Sequence, residues 1–329
     1  FSFFRSSAIF LTLSLFSSAE QLGIDLSALD GCTVGTIGVP EFGTGFVRQV
    51  LEMTRPKTME ELVRIAGLTH GTDVWLNNAE PLVRNGTAKL SEVICARDDI
   101  MNYLISKGME PSLSFKIMEK VRKGKGITAE WEQAMADCAV PSWFVGSCKK
   151  IKYLFPRGHA VAYVMMAFSV AYFKRHYPAE FYAVYYTVRA DAFDITQAEG
   201  GPERILQNII KLSGPEATAK DKDVVTILEV VYEMNLRGIE LLPVDIYKSE
   251  ALRFTVENGA IRPPFNAVPG LGGNAALSIA EKRGGGRFSS IEDFAKVTCA
   301  NTGVISALEA SGCFLDLPKK NQISLFDMF

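Results

Sequence analysis

A chain of 329 residues, 48% of them hydrophobic, has room for about two domains at roughly 150 residues each, and extended disorder is excluded. With 35 basic and 37 acidic residues and a formal net charge of −2, the chain is not a basic nucleic-acid coat, so any nucleic-acid contact is local. Six cysteines without a C-x-x-C pair, beside three histidines, indicate neither a zinc knuckle nor a disulfide framework, and read as the reduced thiols of a cytoplasmic protein.

In chain order, residues 1–18 form an apolar stretch broken by Arg5. Ala8 to Phe16 has the length of a signal-peptide core and Ser17-Ser18-Ala19 the look of a cleavage site, but one arginine makes a poor charged leader. This leaves a secreted helical protein as an outlying reading. The other long apolar run, Ala160 to Phe173, is 14 residues, short of the ~20 needed to span a bilayer, and predicts a buried core helix with no membrane partner.

Between Phe46 and Tyr182 the spacing predicts a string of helices. Thr58 with Glu61 forms a capping box opening a helix that stops at Gly67. Ser91 opens another, through Val93, Ile94, Ile100, Met101 and Leu104 to Gly108. Pro111 begins a third, which runs to the basic loop Arg122-Lys123-Gly124-Lys125-Gly126. Thr128 and Pro141 start two more, the second carrying Lys149, Lys150 and Lys152 ahead of Arg157-Gly158-His159.

From 196 to 222 the apolar content falls and Gly-Gly-Pro and Gly-Pro appear, which places a domain boundary. Asp221 is the expected N-cap of a helix from Val224 to Leu236 that ends at Gly238. Asn258-Gly259 between Arg253-Phe-Thr-Val and Ala260-Ile-Arg is a strong hairpin signal. A helical unit around Gly270-Leu271-Gly272 and an apolar-rich tail, Leu317 to Phe329, complete the chain.

Three features bear on chemistry. Val268-Pro-Gly-Leu-Gly-Gly-Asn is a tight turn into a helix with Ala276 and Ile279 facing inward, and helix-start amides of this kind can hold a DNA phosphate without reading its base. A dinucleotide fingerprint fits worse, lacking a preceding strand and the third glycine at its proper spacing, while a plain helix–helix turn stays open. Second, Arg122, Lys123, Lys125, Lys149, Lys150, Lys152, Arg157 and His159 cluster in sequence with Tyr153, Phe155 and Tyr163 among them. Such cations can cradle a triphosphate and such rings stack on a base; a solvated lysine-rich face is the alternative. Third, Gln322, Leu325 and Phe326 on a leash have the layout of a peptide that docks in a pocket, or of a frayed terminus. No carboxylate pair converges for metals: Asp98 and Asp99 diverge on their helix, and Asp221 and Asp223 sit at a helix start among lysines.

Together these pieces resemble the C-terminal part of the PolC-type replicative DNA polymerase III α subunit. The matching segments are Gly-Thr-Ile-Gly-Val-Pro-Glu-Phe-Gly-Thr (35–44), Leu-Thr-His-Gly-Thr-Asp-Val-Trp (68–75), Ala-Arg-Asp-Asp-Ile-Met (96–101), Glu-Pro-Ser-Leu-Ser-Phe-Lys-Ile-Met-Glu-Lys-Val-Arg-Lys-Gly-Lys-Gly (110–126), Cys-Lys-Lys-Ile-Lys-Tyr-Leu-Phe-Pro-Arg-Gly-His-Ala (148–160), Pro-Pro-Phe-Asn-Ala-Val-Pro-Gly-Leu-Gly (263–272) and the terminal Gln-Ile-Ser-Leu-Phe. The resemblance runs over about 16–326.

It implies a mainly α protein: an atypical stretch at 1–19, a helical fingers domain at 20–198, a smaller α+β duplex-binding domain with helix-hairpin-helix elements at 199–316, and a clamp-binding tail at 317–329. It further implies that Arg97, Arg122, Lys123, Lys125, Lys150, Arg157 and His159 line the triphosphate of an incoming dNTP, with Tyr153 and Phe155 near its base. Gly270, Leu271, Gly272, Gly273 and Asn274 would hold duplex DNA, and Gln322, Ile323, Leu325 and Phe326 the β sliding clamp. The implied partners are primer-template DNA, dNTP, the clamp and other replisome subunits. Residues 1–15 do not look like the family, and its palm domain, whose carboxylates hold the catalytic Mg2+ ions, precedes the matching part. The isolated chain is therefore expected to be inactive as a polymerase, and a non-catalytic DNA- and clamp-binding module is the rival reading.

Overall fold

The computed structural model describes residues 6–314 and 317–320. The chain forms two compact units, Phe1–Gln21 with Cys32–Tyr172 and Leu22–Gly31 with Phe173–Phe329.

In the first unit, α1 (Ser6–Ser14) leads into Leu15 and Phe16, both fully buried. The Phe16 ring meets Phe42 edge-on at 5.0 Å and lies nearly parallel to Phe168 at 6.3 Å. The apolar end of the stretch that suggested a secretion signal is thus part of a core. Next come α2 (Gly45–Thr54) and α3 (Met59–His70). The capping box of Thr58 and Glu61 opens α3 as expected, but the helix continues past Gly67 to His70. Gly67 marks close packing instead of a stop: a Cβ there would lie 2.3 Å from the Cys95 carbonyl oxygen.

A tight turn at Trp75–Ala79 leads to α4 (Glu80–Arg84). Then α5 (Arg97–Ser106) begins at Arg97, six residues after the expected start at Ser91. Asp99 draws in the N–H groups of Cys95 and Ala96 and so fixes the start, while Lys89–Val93 closes a separate turn on Glu92. Gly108 ends this segment with a positive φ of 86°, as the sequence predicts. The expected starts at Pro111, Thr128 and Pro141 are observed for α6 (Pro111–Val121), α7 (Ala129–Asp137) and α8 (Ser142–Lys150), with Lys152 lying beyond α8. α9 (Arg157–His176) is not buried all round, contrary to expectation. Ala160, Val164, Ala167, Phe168 and Ala171 form its buried stripe, whereas Val161, Met165 and Met166 are exposed. A helix one stripe deep in a core leaves its other face outside, whatever its composition.

The second unit continues with α10 (Pro178–Val188), α11 (Ile195–Ala198), α12 (Gly201–Leu212) and α13 (Ala219–Leu236). The N-cap of α13 is Thr218 rather than Asp221; Asp221 is the reciprocal partner in the box. Gly238 ends the helix with φ 74° as expected. Inside this unit Glu233, fully buried, accepts from Lys174 Nζ (2.7 Å) and the Tyr182 hydroxyl (2.6 Å), and Arg237 donates to that hydroxyl at 3.1 Å.

The hairpin forms as predicted from β1 (Thr255–Glu257) and β2 (Ala260–Arg262), with Val256 opposite Ile261. Asn258 and Gly259 both take the left-handed conformation that its two-residue turn requires. After it come α14 (Gly273–Lys282), α15 (Ile291–Thr298) and α16 (Thr302–Ala310). Phe294 centres this end of the unit, edge-on to Phe288 at 5.0 Å and Phe314 at 5.1 Å. The N–H groups of Ile291 and Glu292 donate to the carbonyls of Pro318 and Lys319. The protein is thus mainly α with a small two-stranded element. No described helix is long and apolar enough to cross a membrane.

Candidate nucleotide and nucleic-acid interface

Residues 152–156, between α8 and α9, run as a strap whose backbone, with that of Arg157 at the start of α9, is tied to three distant segments. Lys152 N–H donates to Thr72 O and Thr72 N–H to Tyr153 O, both at 3.0 Å. Leu154 N–H donates to Arg122 O (3.1 Å), and Phe155 O accepts from Arg97 N–H (3.0 Å). The Asp98 carboxylate accepts from Arg157 N–H at 2.7 Å. Gly124, with φ 68°, lets the basic loop approach the strap, because a Cβ there would lie 2.5 Å from the Lys152 carbonyl oxygen.

The strap brings Arg97, Arg122, Lys123, Tyr153, Phe155, Arg157 and His159 together. Glu119 sits among three of the cations: Arg122 grips both its oxygens, Lys123 Nζ lies 3.0 Å away and Arg97 Nη1 3.9 Å. Hydrogen bonds from Arg122 and then Lys123 hold the Glu119 carboxyl down to about 2, from an ordinary 4.5. The buried Arg97 Nε has no hydrogen-bond partner among the described residues. Arg157 is paired with Glu60 and lies 3.5 Å from Asp99, and the Glu60 hydrogen bond raises the guanidinium above its usual value. Beside these cations runs a row of rings. Tyr153 meets Phe155 edge-on at 4.9 Å, Phe155 stacks on His159 at 4.7 Å, and His159 meets Tyr163 at 4.4 Å.

Lys125 stays exposed on the loop. Lys150 points elsewhere: its Nζ donates to Asn77 O at 2.7 Å and lines a cleft of about 270 Å³ with Trp143, Asn78 and Asn85. Sequence reasoning overlooked the carboxylates that hold the cations. Glu119 was within reach, since it stands three and four residues before Arg122 and Lys123 on a helix. Glu60, on the Arg157 guanidinium, and Asp98, on the Arg157 backbone N–H, were not, being 97 and 59 residues away. Among the described residues no group of three His, Cys, Asp or Glu side chains converges, and Asp98 and Asp99 are committed to backbone N–H groups.

In the second unit, Gly270 takes φ 84° and the turn delivers Gly272 as the N-cap of α14, with no side chain capping the helix start. Gly272, Gly273 and Asn274 are exposed, so the first amides of α14 are open to an anion. Leu271 differs from the DNA contact expected of it. Its side chain is buried and its N–H is spent on Val268 O at 3.0 Å, which makes it the anchor of the turn. Gln322, Ile323, Leu325 and Phe326 lie outside the described residues.

Residues 11–140 match the family described as bacterial DNA polymerase III alpha subunit finger domain, and residues 238–323 match the helix-hairpin-helix motif. The chain is 56% identical over 317 residues to DNA polymerase III PolC-type of Caldanaerobacter subterraneus subsp. tengcongensis, covering 96% of this chain and 23% of that protein. Against the proteins of the same name in Thermotoga maritima and Bacillus subtilis the identities are 54% and 51%, covering 96% and 95% of this chain and 23% and 22% of those proteins. The chain thus spans about a quarter of the length of these relatives. With a finger-domain match, a helix-hairpin-helix match and identities of 51–56% over 95–96% of its length, the chain is similar to one portion of the PolC-type DNA polymerase III proteins.

Proposed function

We propose that this chain is the fingers (20–198), duplex-binding (199–316) and clamp-binding (317–329) portion of a replicative DNA-directed DNA polymerase of the bacterial cytoplasm. The strap carries this reading. By tying residues 72, 97, 98 and 122 to 152–157 it gathers Arg97, Arg122, Lys123 and Arg157 beside a row of rings. Cations in that setting suit the triphosphate of an incoming dNTP, and Tyr153 and Phe155 its base. Lys125 and Lys150 would contribute longer-range charge. The open amides at Gly272, Gly273 and Asn274 would hold duplex phosphates, and Gln322, Ile323, Leu325 and Phe326 the β sliding clamp, which makes re-engagement after dissociation intramolecular. Other replisome subunits would join through the full-length protein. The Mg2+ ions belong, on this reading, to palm carboxylates outside this chain, so the chain alone extends no primer.

The test is fluorescence anisotropy of a labelled primer-template with the whole chain, with and without the complementary dNTP. Tighter binding with nucleotide, lost in Arg157→Ala and Arg122→Ala, supports the reading. Equal binding with and without nucleotide rejects dNTP positioning. It would favour the second reading, a non-catalytic DNA- and clamp-binding module, for which the carboxylate partners of Arg122 and Arg157 already speak.

A further inference from the structure

Glu119 meets its cations in the manner of a bound anion. Its Oε1 accepts from Arg122 Nε and lies 3.9 Å from Arg97 Nη1; its Oε2 lies 3.0 Å from both Arg122 Nη2 and Lys123 Nζ. A carboxylate and a phosphate engage the guanidinium fork in the same bidentate way, so the two compete for the same donors. Among the described residues the buried Arg97 Nε has no hydrogen-bond partner.

We infer that Glu119 is an internal stand-in for phosphate, occupying the donors of Arg122 and Lys123 until a polyphosphate displaces it and gives Arg97 Nε an acceptor. This inference rests on the proposed reading of the strap face as a triphosphate site. Its physical content is a closed state that every anion must open, so that observed affinity is the intrinsic affinity scaled by the open fraction. Glu119 is a positioning residue and touches no substrate. Its carboxyl is ionised throughout the physiological range, so the block is set by competition and not by protonation.

Inorganic tripolyphosphate titrated calorimetrically into the whole chain tests this, with circular dichroism to show that each variant is folded. Glu119→Gln is expected to bind about three- to tenfold more tightly than the unmodified chain, the range set by a partly exposed ion pair. Glu119→Asp, which keeps the charge but reaches fewer donors, is expected to fall between them, and it carries the test if the glutamine variant fails to fold. Glu132→Gln removes the same charge from a pair with Lys149 at 2.8 Å and should stay within about twofold, since only the long-range field changes. Glu119 variants no tighter than Glu132→Gln overturn the inference while leaving the triphosphate reading intact. Folded protein that binds no tripolyphosphate in any form overturns both.

Discussion

The carboxylate of Asp98 accepts a hydrogen bond from the backbone N–H of Arg157, 59 residues later in the chain, at 2.7 Å. A helix start leaves its first N–H groups without partners, and Asp98 supplies to α9 from the first turn of α5 what a local N-cap residue would. The same bond sets where the Arg157 guanidinium begins, so helix stability and site geometry are one interaction.

Asp98→Ala is expected to destabilise the chain by about 1–2 kcal/mol, the cost of a lost N-cap, and to abolish any nucleotide-dependent tightening on primer-template. Asp98→Asn keeps an acceptor and should lose less than half as much. Urea unfolding beside anisotropy checks both; a variant that loses stability but keeps the nucleotide effect would show that Arg157 is placed by other contacts.

Gly124 and Gly126 differ in surroundings though both have positive φ. A Cβ on Gly124 meets the Lys152 carbonyl at 2.5 Å, and one on Gly126 meets nothing within 4 Å. Gly126→Ala should cost about 1 kcal/mol for the left-handed backbone alone, and Gly124→Ala clearly more, because the strap must shift. Thermal melts of the two variants compare them directly.

The Lys174–Glu233 pair is fully buried at 2.7 Å. Lys174→Met leaves the Glu233 charge without its ammonium and should cost about 3–5 kcal/mol, whereas the double variant with Glu233→Leu should recover much of that loss. Tyr182, its pKa raised by burial and then by Glu233, loses its acceptor in the double variant, so recovery is expected to be incomplete. A double-mutant cycle in denaturant reads the coupling.

Glu119 falls from an ordinary 4.5 to about 2 in the folded chain. A carboxyl with a lowered folded pKa contributes stability that is full above the unfolded value and is lost as pH falls through the folded one. Wild-type stability should therefore decline between pH 4.5 and about 2 more steeply than that of Glu119→Gln. Glu257, held to about 2 by Arg262 and then Lys248, adds a parallel decline in the second unit that Glu119→Gln leaves untouched. Acid-unfolding curves of the two proteins measure the difference.

Asn274→Asp puts a negative charge at the exposed start of α14. The helix dipole favours it by about 0.3–1 kcal/mol, while a duplex phosphate is repelled. Stability should hold or rise as duplex affinity falls several-fold at low salt, with a shallower salt dependence. Binding measured against salt concentration decides it; undiminished affinity would remove the α14 amides from the DNA interface.

The features legible in the sequence are those whose physics closes within a few residues. Pro111, Thr128 and Pro141 start helices, Gly108 and Gly238 stop them, Asn258-Gly259 turns a hairpin, and Gly270-Leu271-Gly272 leads into an uncapped helix. In each case the orphan amides or the required φ are settled locally. Tertiary structure decided the rest. Gly67 reads as a stop until Cys95 is seen packed against it, and α9 reads as wholly buried until one stripe proves to face the core. Leu271 reads as a contact until its amide is found bonded to Val268, and Arg157 as a free cation with an open amide until Glu60 closes on the guanidinium and Asp98 on the N–H. Charges and amides are satisfied by whichever partner the fold brings near, and over 59 or 97 residues no spacing in the sequence names that partner.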